Sequence, residues 1–448
     1  MSYIASAGAL LPAAVVIFGV FAALRLKFFM LLHPFRCVGV FLRSLSGGER
    51  RSALRALALS LAGTLGVGNI TGVAVALFCG GAGAVFWLWV SVFFSMMIKF
   101  AEVTLSADLK NGSVRGSLGY IIKLRGGKTF CVLFSALMIL SCFTVGGAIQ
   151  SGAVCMSVYD AFGVPAGVTA LLFTAVSVGI AAGGGKRITD AVSFIVPFAS
   201  AVYVFMCAVV IAGNIPEIPS VLRRIFDSAF SAPSFFGGAL GVLTSASLRQ
   251  GFSKGMLSNE AGMGTSPMAH SESEERDPCA VGMFGAFEVF FDTAVLCTLT
   301  AFALMLSGAE LSSDGTELVL RAFSASLGGA ASPLLALCIF SFALATVICW
   351  SHYGFRSIEY ICSVCRFPAV RAKRCFLFLL AAALISGAYV SQDILFCVTD
   401  VLSLGMTLIN MCGVIKNADR LEYLSAESGL IRKCGYVISF RRRKRRDA

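Results

Sequence analysis

Thr64, Asn69 and Thr71 stand among four glycines in the run Leu61-Ala-Gly-Thr-Leu-Gly-Val-Gly-Asn-Ile-Thr-Gly72, inside an apolar stretch from Ala53 to Phe78. Glycine and short hydroxyl or amide side chains hold a helical ladder poorly. In hydrocarbon each unpaired backbone N–H or C=O is costly, so unwound chain persists only where it lines a cavity or holds a ligand. The chemistry on offer is coordination, not bond making. Amides from Gly66 to Gly72, with the Asn69 side chain, suit a carboxylate, while carbonyls around Thr64 and Gly68 suit an ammonium or a cation. A helix broken over Gly63 to Gly72 is therefore predicted, and Thr64, Gly66, Gly68, Asn69, Thr71 and Gly72 are its candidate binding residues.

The element carrying that break must lie in a bilayer. Hydrophobic residues make up 57% of the 448-residue chain and charged residues 13%, with a mean hydropathy of +0.85. A soluble domain carries about 25% charged residues. Apolar stretches of spanning length fall near 10–32, 53–78, 83–106, 129–157, 165–182, 189–213, 235–258, 280–307, 333–361, 375–391 and 394–415, so an all-α polytopic membrane protein of about eleven transmembrane helices is expected. With the N-terminus outside, the inner loops 33–55, 108–128, 183–188, 254–279 and 357–375 and the tail 416–448 hold 28 of the 36 Lys and Arg. This asymmetry obeys the positive-inside rule and puts the C-terminus in the cytoplasm. The net charge of +12 is thus topology, and no nucleic-acid partner is implied. The basic stretch at 441–446 is read as an anchor or solvated tail that can touch anionic lipid. The first span, ending at Lys27 without a small-residue cleavage site, reads as a retained helix.

Setting the first span aside leaves ten, divided as 53–213 and 235–415 by a polar outer linker, 214–234, with 1–52 as an extra helix plus loop and 416–448 as a basic tail. Two consecutive five-span units must have opposite orientations, the arrangement called an inverted repeat. Each unit opens on an interrupted segment: Gly63 to Gly72 in the first, Gly237 to Gly251 in the second.

These residues resemble the alanine or glycine:cation symporters, also called sodium:alanine symporters. Gly63-Thr-Leu-Gly-Val-Gly-Asn-Ile-Thr-Gly72 is similar to the family's first broken helix, and Gly80-Gly-Ala-Gly-Ala-Val-Phe-Trp-Leu-Trp89 to its Gly-Gly…Phe-Trp-Met-Trp signature. Lys99-Phe-Ala-Glu102, Gly184-Gly-Lys-Arg-Ile188, Ser258-Asn-Glu-Ala-Gly-Met-Gly264 with Pro267, Ala269 and His270, and Phe291-Asp-Thr293 match in order. The resemblance implies a leucine-transporter-type fold and a secondary active symporter. Such a carrier would import alanine or glycine, with D-alanine a further candidate, together with Na+ by alternating access in the bacterial inner membrane. It adds Gln150, Phe252 and Trp350 to the substrate set and places a sodium ion near Thr64, Gly68 and Thr346. Three departures stand out: Gly147 and Gly152 flank Gln150 where asparagines are usual, Ala345 replaces a hydroxyl beside Thr346, and Ser403 replaces an Asn.

Acids at mid-depth are functional by default. Asp292 and Glu288, four apart and hence on one helical face, are candidate coupling groups, and coupling to H+ through them is the alternative to Na+. Lys99 and Glu102 read as an exposed or interfacial pair, the glycines around Gln150 as a cavity wall, and Arg249 as an inner seal. Most of the sixteen cysteines fall in spans, as small hydrophobes. No cofactor fingerprint or catalytic motif occurs, and His33 and His270 are assigned to loops, so an enzyme is not expected. A single chain with two broken helices also argues against a channel. The oligomeric state is left open.

Overall fold

The computed structural model describes residues 2–44, 50–109, 114–230, 246–271, 275, 277–309 and 315–431. Regular structure among them is helical, as apolar runs must be when no water is present to satisfy the backbone. The principal helices are α1 (Ser2–Arg25), α2 (Arg50–Thr64), α3 (Gly68–Gly80), α4 (Gly83–Asp108), α5 (Gly127–Phe162), α6 (Ala166–Ala181), α7 (Gly184–Gly213), the amphipathic α8 (Ile218–Ala229), α9 (Ala246–Asn259), the short α10 (Ser266–His270) and α11 (Pro278–Leu306). They continue with α12 (Gly315–Leu327), α13 (Ala331–Cys365), α14 (Ala369–Ser386), α15 (Gln392–Lys416) and α16 (Ala418–Glu427). Six described helices are long and apolar enough to cross a membrane, or seven if α2 and α3 form one bent span. The expected count of eleven is not reached on that criterion. α1 and α6 offer shorter apolar lengths, α14 carries Arg371, Lys373 and Arg374 in its first turns, and much of the 235–258 stretch lies outside the described residues.

Helix α4 is the hub of one bundle. α9 and α11 pack along it, and α2, α3 and α10 complete the group. The approach is close because small residues line it: a Cβ on Gly251 of α9 would stand 2.3 Å from the Ala84 carbonyl oxygen, and one on Gly282 of α11 would stand 2.0 Å from Thr104 Oγ1. A second group consists of α5, α6, α13 and α14, with α7 packed on α2 and α13, and α15 on α5 and α1. The two ends of the molecule are marked by polar contacts. Arg25 reaches Asp419 (3.1 Å) and Arg420 clasps Asp108 (2.6 and 2.8 Å) at one end, while Ser332 donates to Asp160 (2.7 Å) at the other.

The structure describes only the end of the second segment read as interrupted. From Ala246 through Gly251 the chain is regular helix, and residues 237–245 lie outside the described residues. The helix ends only after Asn259, in a turn with positive φ at Glu260 (55°), Gly262 (86°) and Gly264 (74°). Residues 260–271, assigned to an inner loop, are buried.

Candidate functional site

Half-helices α2 and α3 meet at 51°, with Leu65, Gly66 and Val67 between them. The sharp turn bonds Gly66 N–H to the Thr64 carbonyl (2.7 Å). The Val67 N–H has left the helical ladder and donates to Gln150 Oε1 of α5 (3.3 Å), whose amide nitrogen donates to the Val145 carbonyl (3.0 Å). From the opposite side, Thr346 of α13 donates its hydroxyl to the Ala62 carbonyl (3.1 Å). Gly66 lies between these arms. A Cβ there would stand 2.9 Å from Thr346 Oγ1 and 3.4 Å from both amide atoms of Gln150. One turn on, a Cβ at Gly68 or Gly72 would meet nothing within 4 Å, so open space adjoins the break. The hydroxyls of Thr64 and Thr71 are turned back on their own chain, toward the carbonyls of Ser60 and Leu61 (3.5 Å each) and of Val67 (3.0 Å).

The α3 side of the break carries a second polar constellation. The Asn69 side-chain amide donates to Asp292 Oδ1 of α11. Asn69 Oδ1 and Asp292 Oδ2 are both buried without a hydrogen-bond partner among the described residues. Asp292 lies where α11 widens into a wider, π-type coil over Phe290–Cys297, a form frequent at functional sites. The Asn69 carbonyl accepts from Thr300 (3.2 Å), which also contacts Tyr203 of α7 (2.8 Å). One oxygen of the amide-anchored carboxylate and the side-chain oxygen of Asn69 are thus left as buried acceptors. Neither Tyr203 nor Thr300 stood out in the sequence, because a hydroxyl in an apolar helix is most often bonded to its own backbone.

Glu288 belongs to a different constellation, although it shares α11 with Asp292. Its carboxylate accepts from Lys99 of α4 (3.0 Å), from Ser60 of α2, and from Ser266 of α10 (2.8 and 2.9 Å), and His270 Nε2 stands 3.3 Å away. Three expectations are thereby corrected. Lys99 and Glu102 are fully buried and do not pair; Glu102 instead accepts from Asn410 of α15 (2.7 Å). Buried charges require partners, and Gly282 and Gly285 let α11 come close enough to α4 to bring Glu288 to Lys99. His270 is in a buried helix, not a loop.

The remaining candidates are placed as follows. Trp350, one turn from Thr346 on α13, is fully buried, packs on Gly146 and donates its indole N–H to Glu260 (3.1 Å). Phe252 lies against Trp87 and Phe94 of α4, at ring-centroid distances of 6.3 and 6.2 Å. Gly147 and Gly152 do not form a cavity wall: they admit Leu380 and Ala383 of α14, and Gly387 and Gln392 beyond it, at packing distance. Arg249 is exposed.

A sequence model described as the sodium:alanine symporter family matches residues 2–419. The sodium/alanine symporter AgcS of Methanococcus maripaludis is 31% identical over 418 residues, covering 89% of each chain. The protein of Bacillus subtilis named putative sodium/proton-dependent alanine carrier protein YrbD is 34% identical over 329 residues, 69% of this chain and 67% of its own. Among solved structures, the crystal structure of MhsT in complex with L-phenylalanine superposes with a TM-score of 0.59 at 16% identity, over 87% of this chain and 95% of that one. The last likeness concerns the fold, of the leucine-transporter type.

Proposed function

The chain belongs to the sodium:alanine symporter family, a family of carriers and not of enzymes, and from this premise we propose that it imports a small neutral amino acid, alanine or glycine, together with Na+. The observation that carries the reading is the convergence of Gln150 on the unwound Leu65–Val67 backbone and of Thr346 on the Ala62 carbonyl at the end of α2, beside open space at Gly68 and Gly72. An amino acid needs partners for both of its charges in a low-dielectric site. In this reading the Gly68 amide, which takes no part in the hydrogen bonds of the turn, and the side chain of Asn69 meet the carboxylate, and carbonyls of the break meet the ammonium. Trp350 and Phe252 bound the region from α13 and α9.

For the cation we propose oxygens at the same break. The Ala62 carbonyl and Thr346 hydroxyl offer one pair, next to Thr64 and Gly68, and the unpartnered Asn69 and Asp292 oxygens offer another. Sodium is a hard cation that takes oxygen ligands. Coupling to H+ through Asp292 is the second reading, favoured by the absence of a basic partner for that carboxylate among its hydrogen bonds. The basic loops support a reading in which the α1–α2 connection and the C-terminal region lie on the cytoplasmic side of a bacterial inner membrane, with the N-terminus outside.

Equilibrium binding of radiolabelled alanine to the purified protein tests the assignment. We expect sodium-stimulated binding in the wild type and loss of that stimulation in Thr346→Ala. Sodium stimulation retained in Thr346→Ala but lost in Asp292→Asn would move the cation to the Asn69–Asp292 pair.

A further inference from the structure

Glu288 and Asp292 differ in a way that separates their roles. Asp292 has one hydrogen-bonded oxygen and one without a partner among the described residues. Glu288 is saturated by a buried ammonium, two hydroxyls and an imidazole drawn from three other helices, α4, α2 and α10. Lys99 and Glu288 are both fully inaccessible to solvent, 3.0 Å apart. The Lys99 ammonium also reaches Ser266, which in turn stands 3.0 Å from Ser60. A carboxylate so fully engaged has no vacant position for a travelling cation.

What the pair does hold is half-helix α2. Ser60 lies on α2 and donates to Glu288, while the neighbouring carbonyls of Leu59 and Ala62 accept from Cys349 (2.9 Å) and Thr346 (3.1 Å) of α13. The clasp at Ser60 is the charge-assisted member of this set, and such bonds are about twice as strong as neutral ones. On its other side α2 borders a cleft of about 740 Å³ lined by its own Leu57, Ala58 and Leu61, by Val196 and Pro197 of α7, and by Phe287 of α11. One flank of the half-helix is thus bonded and the other faces space.

We propose that Lys99 is a fixed internal cation that keeps Glu288 as an acceptor for Ser60, and that this clasp sets how readily α2 parts from α4 and α11. Lys99 and Glu288 are then positioning residues for the conformational cycle, and Asp292 retains the contact with the break. The proposal rests on the carrier reading only for its use in transport, since its test reads motion of α2 and requires no uptake.

Hydrogen–deuterium exchange of the full chain in phosphatidylethanolamine/phosphatidylglycerol nanodiscs, without sodium or amino acid, supplies that test. Ser60→Ala should speed exchange of the Leu57–Thr64 amides by about tenfold or more, because a hydrogen bond to a charged group is lost from the closed form, while α11 amides stay protected. The paired replacement Lys99→Met with Glu288→Leu removes the acceptor without leaving a lone buried charge, and should reproduce the acceleration in a folded protein. Unchanged exchange at Leu57–Thr64 in Ser60→Ala overturns the proposal. So does a folded Glu288→Gln variant with wild-type exchange there but no cation dependence of amino-acid binding, since Glu288 would then be a coupling group.

Discussion

Gln150 is a buried amide in an apolar helix; its oxygen accepts from Val67 and so ties α5 to the broken backbone, while its nitrogen donates within α5 to Val145. Losing a buried partner costs roughly 1–3 kcal/mol, so Gln150→Ala should weaken apparent amino-acid affinity by about 5- to 150-fold while expression survives. Unchanged half-saturation in an uptake assay would reduce Gln150 to a tie between helices. The glycines of the break make a sharper pair of predictions. Gly66→Ala drives a methyl against Thr346 and Gln150 and should abolish binding, whereas the methyl of Gly68→Ala meets no protein atom within 4 Å. Gly68→Ala should therefore leave the melting temperature unchanged and lower affinity for alanine, with glycine binding less affected. Isothermal binding curves for both amino acids check this. At this scale the sequence marked Asn69, Gln150 and Asp292 because polar groups are expensive in hydrocarbon. It did not mark their partners. Lys99 looked exposed because it lies nine residues before the end of its helix, and only the three-dimensional arrangement brings Glu288, 189 residues away, to meet it.

Among the elements, the first broken helix was legible because glycine and short polar side chains cluster where hydrocarbon demands an unbroken ladder, and the bend falls between Thr64 and Gly68. Of the second segment, only residues 246–251 are described. Glycines at a helix contact and glycines at a break have the same composition, and Gly251 with Gly255 serves contact: their Cβ positions lie within 2.3–2.4 Å of atoms on α4. Gly282 supports the same kind of contact from α11. Gly282→Ala should lower the melting temperature of the detergent-solubilised protein by several degrees, as expected for overpacking of about 1–3 kcal/mol. Thr104→Ala, which removes the opposing hydroxyl, should restore much of it. A Gly282→Ala variant as stable as wild type would mean that α4 and α11 pack less closely than described.

Taken whole, the molecule joins two helical groups along one broken helix, whose α2 half is fastened to α4 and α11 through Glu288 and to α13 through Thr346. The helical, membrane-spanning class was readable from the apolar runs, since backbone in a bilayer must satisfy its own hydrogen bonds. The helix count was less so. The apolar runs at 165–182 and 375–391 read as spans, but α6 is short and α14 carries Arg371, Lys373 and Arg374, so neither meets the length and charge criterion. The central claim is that the break couples a small amino acid to a cation, and accumulation in proteoliposomes tests it most directly. With an inward sodium gradient and no proton gradient, labelled alanine or glycine should rise above its external concentration and then fall when the sodium gradient is collapsed. Uptake that only equilibrates, whatever gradient of sodium or protons is imposed, would contradict coupled transport at this site.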